Sequence, residues 1–151
     1  MKEYPTQEYL KSILTYRDGM LYWKERLSSK GVVGKIAGSD VKSRHYRKIG
    51  INGKRYFTHR IIWIMLNGPI PSRMEIDHIN RDHTDNRIEN LRLVSRSQNS
   101  LNKNHKNIRK QGKGYLTRVT FNGILYSEYF ETLCQAEEWV KKKKKELLDN
   151  Y

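Results

Sequence analysis

The 151-residue sequence predicts an α+β chain of small antiparallel hairpins, each followed by a helix. Asn52-Gly53 and Asn122-Gly123 each lie between two runs of strand-forming residues. Asn-Gly is the dipeptide that supplies positive φ at both positions of a tight hairpin turn. Ser95-x-x-Gln98 and Thr132-x-x-Gln135 have the pattern of capping boxes, which start helices. Only 36% of the residues are hydrophobic and 30% are charged, so any core must be modest and divided among small modules.

In chain order, Thr6 to Thr15 reads as a short amphipathic helix, with Tyr9, Leu10, Ile13 and Leu14 at helical spacing. Asp18-Gly19 marks a turn and Met20 to Lys24 a strand. Residues 28–45 are rich in Gly, Ser and Lys and read as a loop that closes a basic N-terminal region, 1–45. Tyr46 to Ile51 and Lys54 to Thr58 form the first strong hairpin. His59 to Leu66 is an apolar helix stopped by Asn67-Gly68-Pro69. Glu75 to His78 and Leu91 to Val94 read as partner strands, and a helix follows from about Arg96 towards Asn104. Residues 46–104 thus make a central unit, and 105–113 a basic linker. From 114 to 151, Tyr115 to Phe121 and Ile124 to Phe130 form the second hairpin. Alternation places Tyr115, Val119, Phe121, Ile124, Tyr126 and Phe130 on one face, and Arg118, Thr120, Ser127 and Tyr129 on the other. The last helix has Leu133, Ala136, Trp139, Val140 and Leu147 on one side, suited to cover the apolar face of that sheet.

The formal charge of +14 is unevenly spread: +10 over residues 1–74, −1 over 75–100 and +5 over 101–151. Basic flanks imply a polyanionic partner, because binding it releases counterions. Ten Tyr and three Trp suit nucleic acid better than a membrane. The longest apolar run, Ile61 to Leu66, is too short to span a bilayer, and Met1 to Pro5 lacks the apolar core of a signal sequence. Cys134 is the single cysteine, which excludes an intrachain disulfide framework or a multi-cysteine zinc site and suggests a reduced, cytoplasmic setting.

The near-neutral middle holds the chemistry. Asp77, His78, Asn90 and Asn99 fall within one strand–loop–strand–helix unit. Hydrolysis of a phosphodiester needs a base for water, a cation against the phosphate charge and a scaffold to align them. His78 is the natural base, since an unperturbed imidazole titrates near ~6.5. The oxygens of Asp77 and Asn99 are hard ligands, pointing to Mg²⁺ or Mn²⁺ rather than zinc. Asn90 is placed to tie the loop and to orient His78. Adjacent strand residues point to opposite faces, so Asp77 and His78 meet one phosphate only at a distorted strand or across its edge.

Asp77-His78-Ile79-Asn80, Asp85-Asn86-Arg87-Ile88-Glu89-Asn90-Leu91-Arg92 and Asn99 resemble the His-Asn-His (HNH) nuclease motif. The variant is that of phage- and intron-encoded homing endonucleases, in which the third position is Asn. His59-Arg60-Ile61-Ile62-Trp63 and Gly68 resemble the helix preceding the motif in such proteins. The resemblance spans roughly residues 46–102 and implies a ββα-metal fold. It implies His78 as general base, Asp77 and Asn99 as ligands of one divalent cation, and Asn90 as the residue holding His78. It further implies double-stranded DNA as partner, products with 5′-phosphate and 3′-hydroxyl ends, and a phage's bacterial host as the setting. One active site per chain implies nicking by a monomer.

Gly114-Tyr115, Arg118-Val119, Asn122-Gly123 and Phe130-Glu131-Thr132 resemble the three-stranded DNA-binding domain of plant ethylene-response factors, over about residues 107–145. That resemblance implies Arg118, Thr120 and Ser127 as base readers, with Lys106, Arg109 and Lys110 as phosphate contacts from the linker. The remaining side chains have plainer readings. His59 packs or caps at a helix start, His83 is a solvated loop residue, and Trp63 and Trp139 are core. Lys141 to Lys145 form a solvated face or a phosphate contact, and Cys134 has no assigned role. The rival to a nuclease is a non-catalytic DNA-binding regulator built from the same modules.

Overall fold

In the computed structural model, which describes residues 3–26, 32–41, 46–102 and 107–149, the first half of the chain packs around one apolar helix. That helix, α2 (Thr58–Asn67), buries Ile61, Ile62, Ile64 and Met65, and Gly68 ends it at φ 89° with its N–H on the Ile64 carbonyl. Six consecutive large apolar side chains, Ile61 to Leu66, leave α2 no wholly polar face, so neighbours must cover most of it. They come from along the whole N-terminal half. Helix α1 (Gln7–Ile13), capped by the Thr6 hydroxyl, supplies Leu10 and Ile13. The hairpin β1 (Leu14–Arg17) and β2 (Met20–Trp23) supplies Leu14 and Leu21. The sheet of β3 (Ser39–Val41), β4 (Tyr46–Ile51) and β5 (Lys54–Phe57) supplies Ile49, Ile51 and Tyr56. Ile76 of β6 (Met74–His78) and Leu91 of β7 (Leu91–Ser95), paired strands, complete this core.

The chain divides into two compact units, Met1–Leu93 and Val94–Tyr151. In the second, β8 (Ile108–Gln111), β9 (Gly114–Phe121) and β10 (Ile124–Phe130) form an antiparallel sheet in the order β10-β9-β8. Helix α3 (Arg96–Asn102) contributes Leu101, and α4 (Leu133–Asp149) contributes Leu147, to a core with Val119 and Phe121. Trp139, Val140 and Tyr126 pack around it.

Both Asn-Gly turns form as expected, with φ 50° and 73° at Asn52-Gly53 and 50° and 82° at Asn122-Gly123. Both capping boxes close reciprocally. The Ser95 N–H donates to Gln98 Oε1 at 2.8 Å while the Gln98 N–H donates to Ser95 Oγ at 3.2 Å. Thr132 and Gln135 exchange the same two bonds at 3.2 and 3.3 Å.

Several boundaries differ from the sequence reading. The first helix stops at Ile13 instead of Thr15, because Leu14 to Arg17 pair with Met20 to Trp23 across Asp18-Gly19, a third two-residue turn with positive φ at both positions. Such a turn is satisfied only by a strand on each side. Within the stretch read as loop, Ser39–Val41 is an edge strand on β4, fastened by the Arg47–Asp40 ion pair at 3.2 Å. From the stretch read as an N-terminal region, Leu10, Ile13, Leu14, Leu21 and Ala37 are buried in the same core as α2. Residues 105–113 are not only a linker, since Ile108–Gln111 pair with β9 in the register Arg109↔Leu116. Polar side chains hid β8 because an edge strand needs little apolar surface.

Candidate active site

The candidate site in the first unit is built on β6 and the loop that follows it. Burial alternates along the strand, with Ile76 and His78 inward and Asp77 towards the opposite side. His78 is 2% exposed, and its Nε2 lies 3.0 Å from Asn86 Oδ1. With Asn86 as acceptor, Nε2 carries the proton and Nδ1 is the basic nitrogen. The strand geometry thus keeps the two adjacent side chains apart, as adjacent strand residues must be.

Asp77 presents its carboxylate to Arg92 of β7. Its Oδ2 accepts from Arg92 Nε at 3.0 Å and Nη2 at 2.9 Å, and its side chain is 11% exposed. Arg92 occupies Oδ2, so a hard cation at Asp77 would have to bind through Oδ1 or displace the guanidinium. Among the described residues, no three His, Cys, Asp or Glu side chains converge as metal ligands. A cation at Asp77 would therefore complete its shell with carboxamide, water and phosphate oxygens, as Mg²⁺ ordinarily does. Asn99 lies on α3, which belongs to the second unit.

Asn90 ties the loop from both ends. Its Oδ1 accepts the Asn80 N–H at 3.0 Å, its Nδ2 donates to the Asp85 carbonyl at 2.7 Å, and its own carbonyl accepts the Ile79 N–H at 2.9 Å. His78 Nε2 is met by Asn86, while Asn90 bonds the loop backbone. Both amide groups of Asn90 are spent on the loop, and the loop's path brings Asn86 to the ring. Nothing local in the sequence separates these two asparagines. Only the motif run 85–92 that contains Asn86 offers a signal.

Between these anchors the loop is held by its own side chains. Asn80 Nδ2 donates to Asp85 Oδ2 at 3.0 Å, and Arg87 grips Asp85 with two bonds of 2.8 Å. That guanidinium holds the Asp85 carboxyl down to about 2.

Two further histidines surround the imidazole of His78. His59 of α2 meets it edge-on at 5.0 Å between centroids, and His83 does so at 5.5 Å. Tyr46 stacks on His83 at 4.3 Å, and Phe57 stacks on His59 at 5.5 Å. Burial, reinforced by His78, Arg60 and His83, lowers the His59 ring from 6.5 to about 3, so it is neutral at cellular pH. From sequence alone, His59 packs or caps a helix start and His83 is a solvated loop residue. His83 is in fact half-buried against Tyr46.

The second unit presents an exposed sheet face. The registers Thr120↔Leu125, Arg118↔Ser127, Leu116↔Tyr129 and Arg109↔Leu116 put these residues on one side, away from the Val119↔Tyr126 row that meets the core. Arg118, Thr120 and Ser127 are exposed there, as are Leu125 and Tyr129. Arg109 joins that face from β8 instead of reaching out of a linker, while Lys110, paired with Tyr115, belongs to the opposite side. Lys106 lies outside the described residues.

A family model described as HNH endonuclease matches residues 56–101. A protein of Acanthamoeba polyphaga mimivirus, described as the uncharacterized HNH endonuclease L560, is 39% identical over 74 residues, which are 45% of this chain. The chain spans 40% of that relative's length. Among solved structures, the HNH homing endonuclease I-HmuI, described as binding and cleaving DNA, aligns with a TM-score of 0.51 at 20% identity. The alignment covers 91% of this chain and 83% of that one, and the likeness concerns the fold. No helix among the described residues is long and apolar enough to cross a membrane.

Proposed function

With an HNH endonuclease domain over residues 56–101, we propose that this chain is a divalent-metal-dependent DNA endonuclease of the homing type. The reaction is hydrolysis of one phosphodiester, leaving 5′-phosphate and 3′-hydroxyl ends and, for a monomer, a nick. One observation supports the reading most: a buried imidazole at the end of a short strand is fixed through Nε2 by Asn86, in a loop that Asn90 ties from both ends. His78 takes the proton of the attacking water at Nδ1, and Asn86 holds the ring in the tautomer that makes this possible. Asp77 would hold the cation, with Asn99 as the second ligand expected from the sequence, and that cation would supply neutralisation of charge on the scissile phosphate and the leaving oxygen. Asn90 keeps the loop closed beneath the ring. The exposed face of β9 and β10 lies in the major groove, with Arg118, Thr120 and Ser127 against base edges and Arg109 beside them.

The direct test is conversion of supercoiled plasmid, and of phage or host genomic DNA, with Mg²⁺, Mn²⁺ or EDTA. Metal-dependent appearance of open circle before linear DNA is expected. DNA bound on every substrate but cut on none would instead identify a regulator.

Two substitutions separate the parts. Asn99→Ala should slow cleavage and raise the Mg²⁺ concentration needed for half-maximal rate, with DNA affinity nearly intact. Lost affinity with normal cleavage at saturating DNA would contradict a ligand role. Arg118→Ala should relax target preference, by about 1–3 kcal/mol at the base it reads, more than it weakens non-specific binding. Equal losses on cognate and random duplexes would make it a phosphate contact.

A further inference from the structure

Asn86 occupies an irregular stretch between Asp85 and Ile88, yet it is 3% exposed and holds the His78 ring at 3.0 Å. A carboxamide in a loop keeps one orientation only if the backbone beneath it is fixed. Part of the fixing is local: Asn90 Nδ2 bonds the Asp85 carbonyl at 2.7 Å, and the Asn90 N–H bonds the Arg87 carbonyl at 2.9 Å. The rest comes from far along the sequence. The Ile88 N–H donates to the hydroxyl of Tyr16 at 3.0 Å, across 72 residues. The turn of the same hairpin sits against the loop backbone. A Cβ placed on Gly19 would stand 2.9 Å from the Arg87 nitrogen and 3.1 Å from the Asn86 carbonyl carbon. Gly19 also has φ 80°, which disfavours any side chain there.

We propose that the β1–β2 hairpin is a clamp that positions the His78 imidazole, acting through Tyr16 and Gly19 on the Asn86 segment. The hairpin lies outside the matched residues 56–101, and its strands take a positioning role. The proposal rests on His78 being the base. Tyr16 and Gly19 touch neither DNA nor reacting atoms in this scheme, so their loss should affect the chemical step and leave substrate binding alone. Misplacing a catalytic group by about 1 Å can cost on the order of 10²-fold in rate.

The test uses the full chain with Tyr16→Phe, which removes the acceptor for the Ile88 N–H and keeps the ring. Gly19→Ala is the second variant, forcing a methyl group against the Arg87 backbone. Nicking of supercoiled plasmid under multiple turnover gives kcat and KM. The ¹⁵N resonances of the His78 ring, read without DNA, report the imidazole directly. Tyr16→Phe should lower kcat about tenfold at unchanged KM and move the His78 resonances, with Gly19→Ala doing more of both. Unmoved His78 resonances in the folded Tyr16→Phe protein overturn the clamp, and so does a rise in KM alone, which would make the hairpin a DNA contact. Absence of cleavage by the wild type on plasmid, phage and host genomic DNA alike would overturn the nuclease reading, while the resonances would still decide whether the hairpin holds the ring.

Discussion

His78→Ala should slow nicking of supercoiled plasmid by about 10²–10⁴-fold, the usual contribution of a positioned general base. DNA affinity should stay within a few-fold of wild type, because the ring is 2% exposed and offers almost no surface to a duplex. The substitution has a structural cost that must be separated from the chemical one. It leaves Asn86 Oδ1 without its partner in a buried place, which typically costs about 1–3 kcal/mol of stability. A melting curve under the assay conditions separates the two effects. A variant that is folded, binds DNA and still nicks at near the wild-type rate would remove His78 from the mechanism. Residual activity at the lower end of the expected range is what the cation and the aligned phosphate alone would supply.

The features legible in the sequence are those written in a few adjacent residues. Asn52-Gly53 and Asn122-Gly123 specify their turns through backbone sterics, and Ser95 with Gln98 specifies a helix start through two reciprocal bonds. The Asp77-His78 pair is legible for the same reason, since it sits at the end of a short strand whose period places each side chain. What escaped is tertiary. The partner of His78 is chosen by the course of the loop between Asn80 and Asn90, so Asn86 and Asn90 look alike until the loop is closed. The N-terminal residues read as a separate basic region because their charge is conspicuous. Leu10, Ile13 and Leu21 nevertheless have no core of their own and share that of α2. β8 was hidden by Arg109, Lys110 and Gln111, polar residues that an edge strand tolerates. His59 and His83 looked bland because nothing in their spacing to His78 marks them as neighbours of its ring.

The largest expected effect on stability is an acid sensitivity centred on His59. In the folded chain this ring titrates at about 3, against 6.5 when exposed, so between those values the unfolded chain binds a proton that the folded chain refuses. Stability therefore rises with pH across that window. It is fully present above 6.5 and is lost progressively as pH falls towards 3. At pH 5 the loss from this one group is about 2 kcal/mol. The charged or titratable groups facing His59 are His78, Arg60 and His83, and each lowers its pKa further. Asp82 and Asp85 are also held below their ordinary range, but such carboxylates act only below about pH 4. Urea unfolding at pH 8 and pH 5, followed through the methyl resonances of Ile61 and Ile62, should show the drop in the wild type. It should be smaller by about 2 kcal/mol in His59→Gln, which cannot titrate. The comparison is of pH dependence within each protein, so the cost of burying Gln cancels. Equal drops in the two proteins would mean that the ring accepts a proton inside the fold. In that case a positive charge would stand 5.0 Å from the His78 ring.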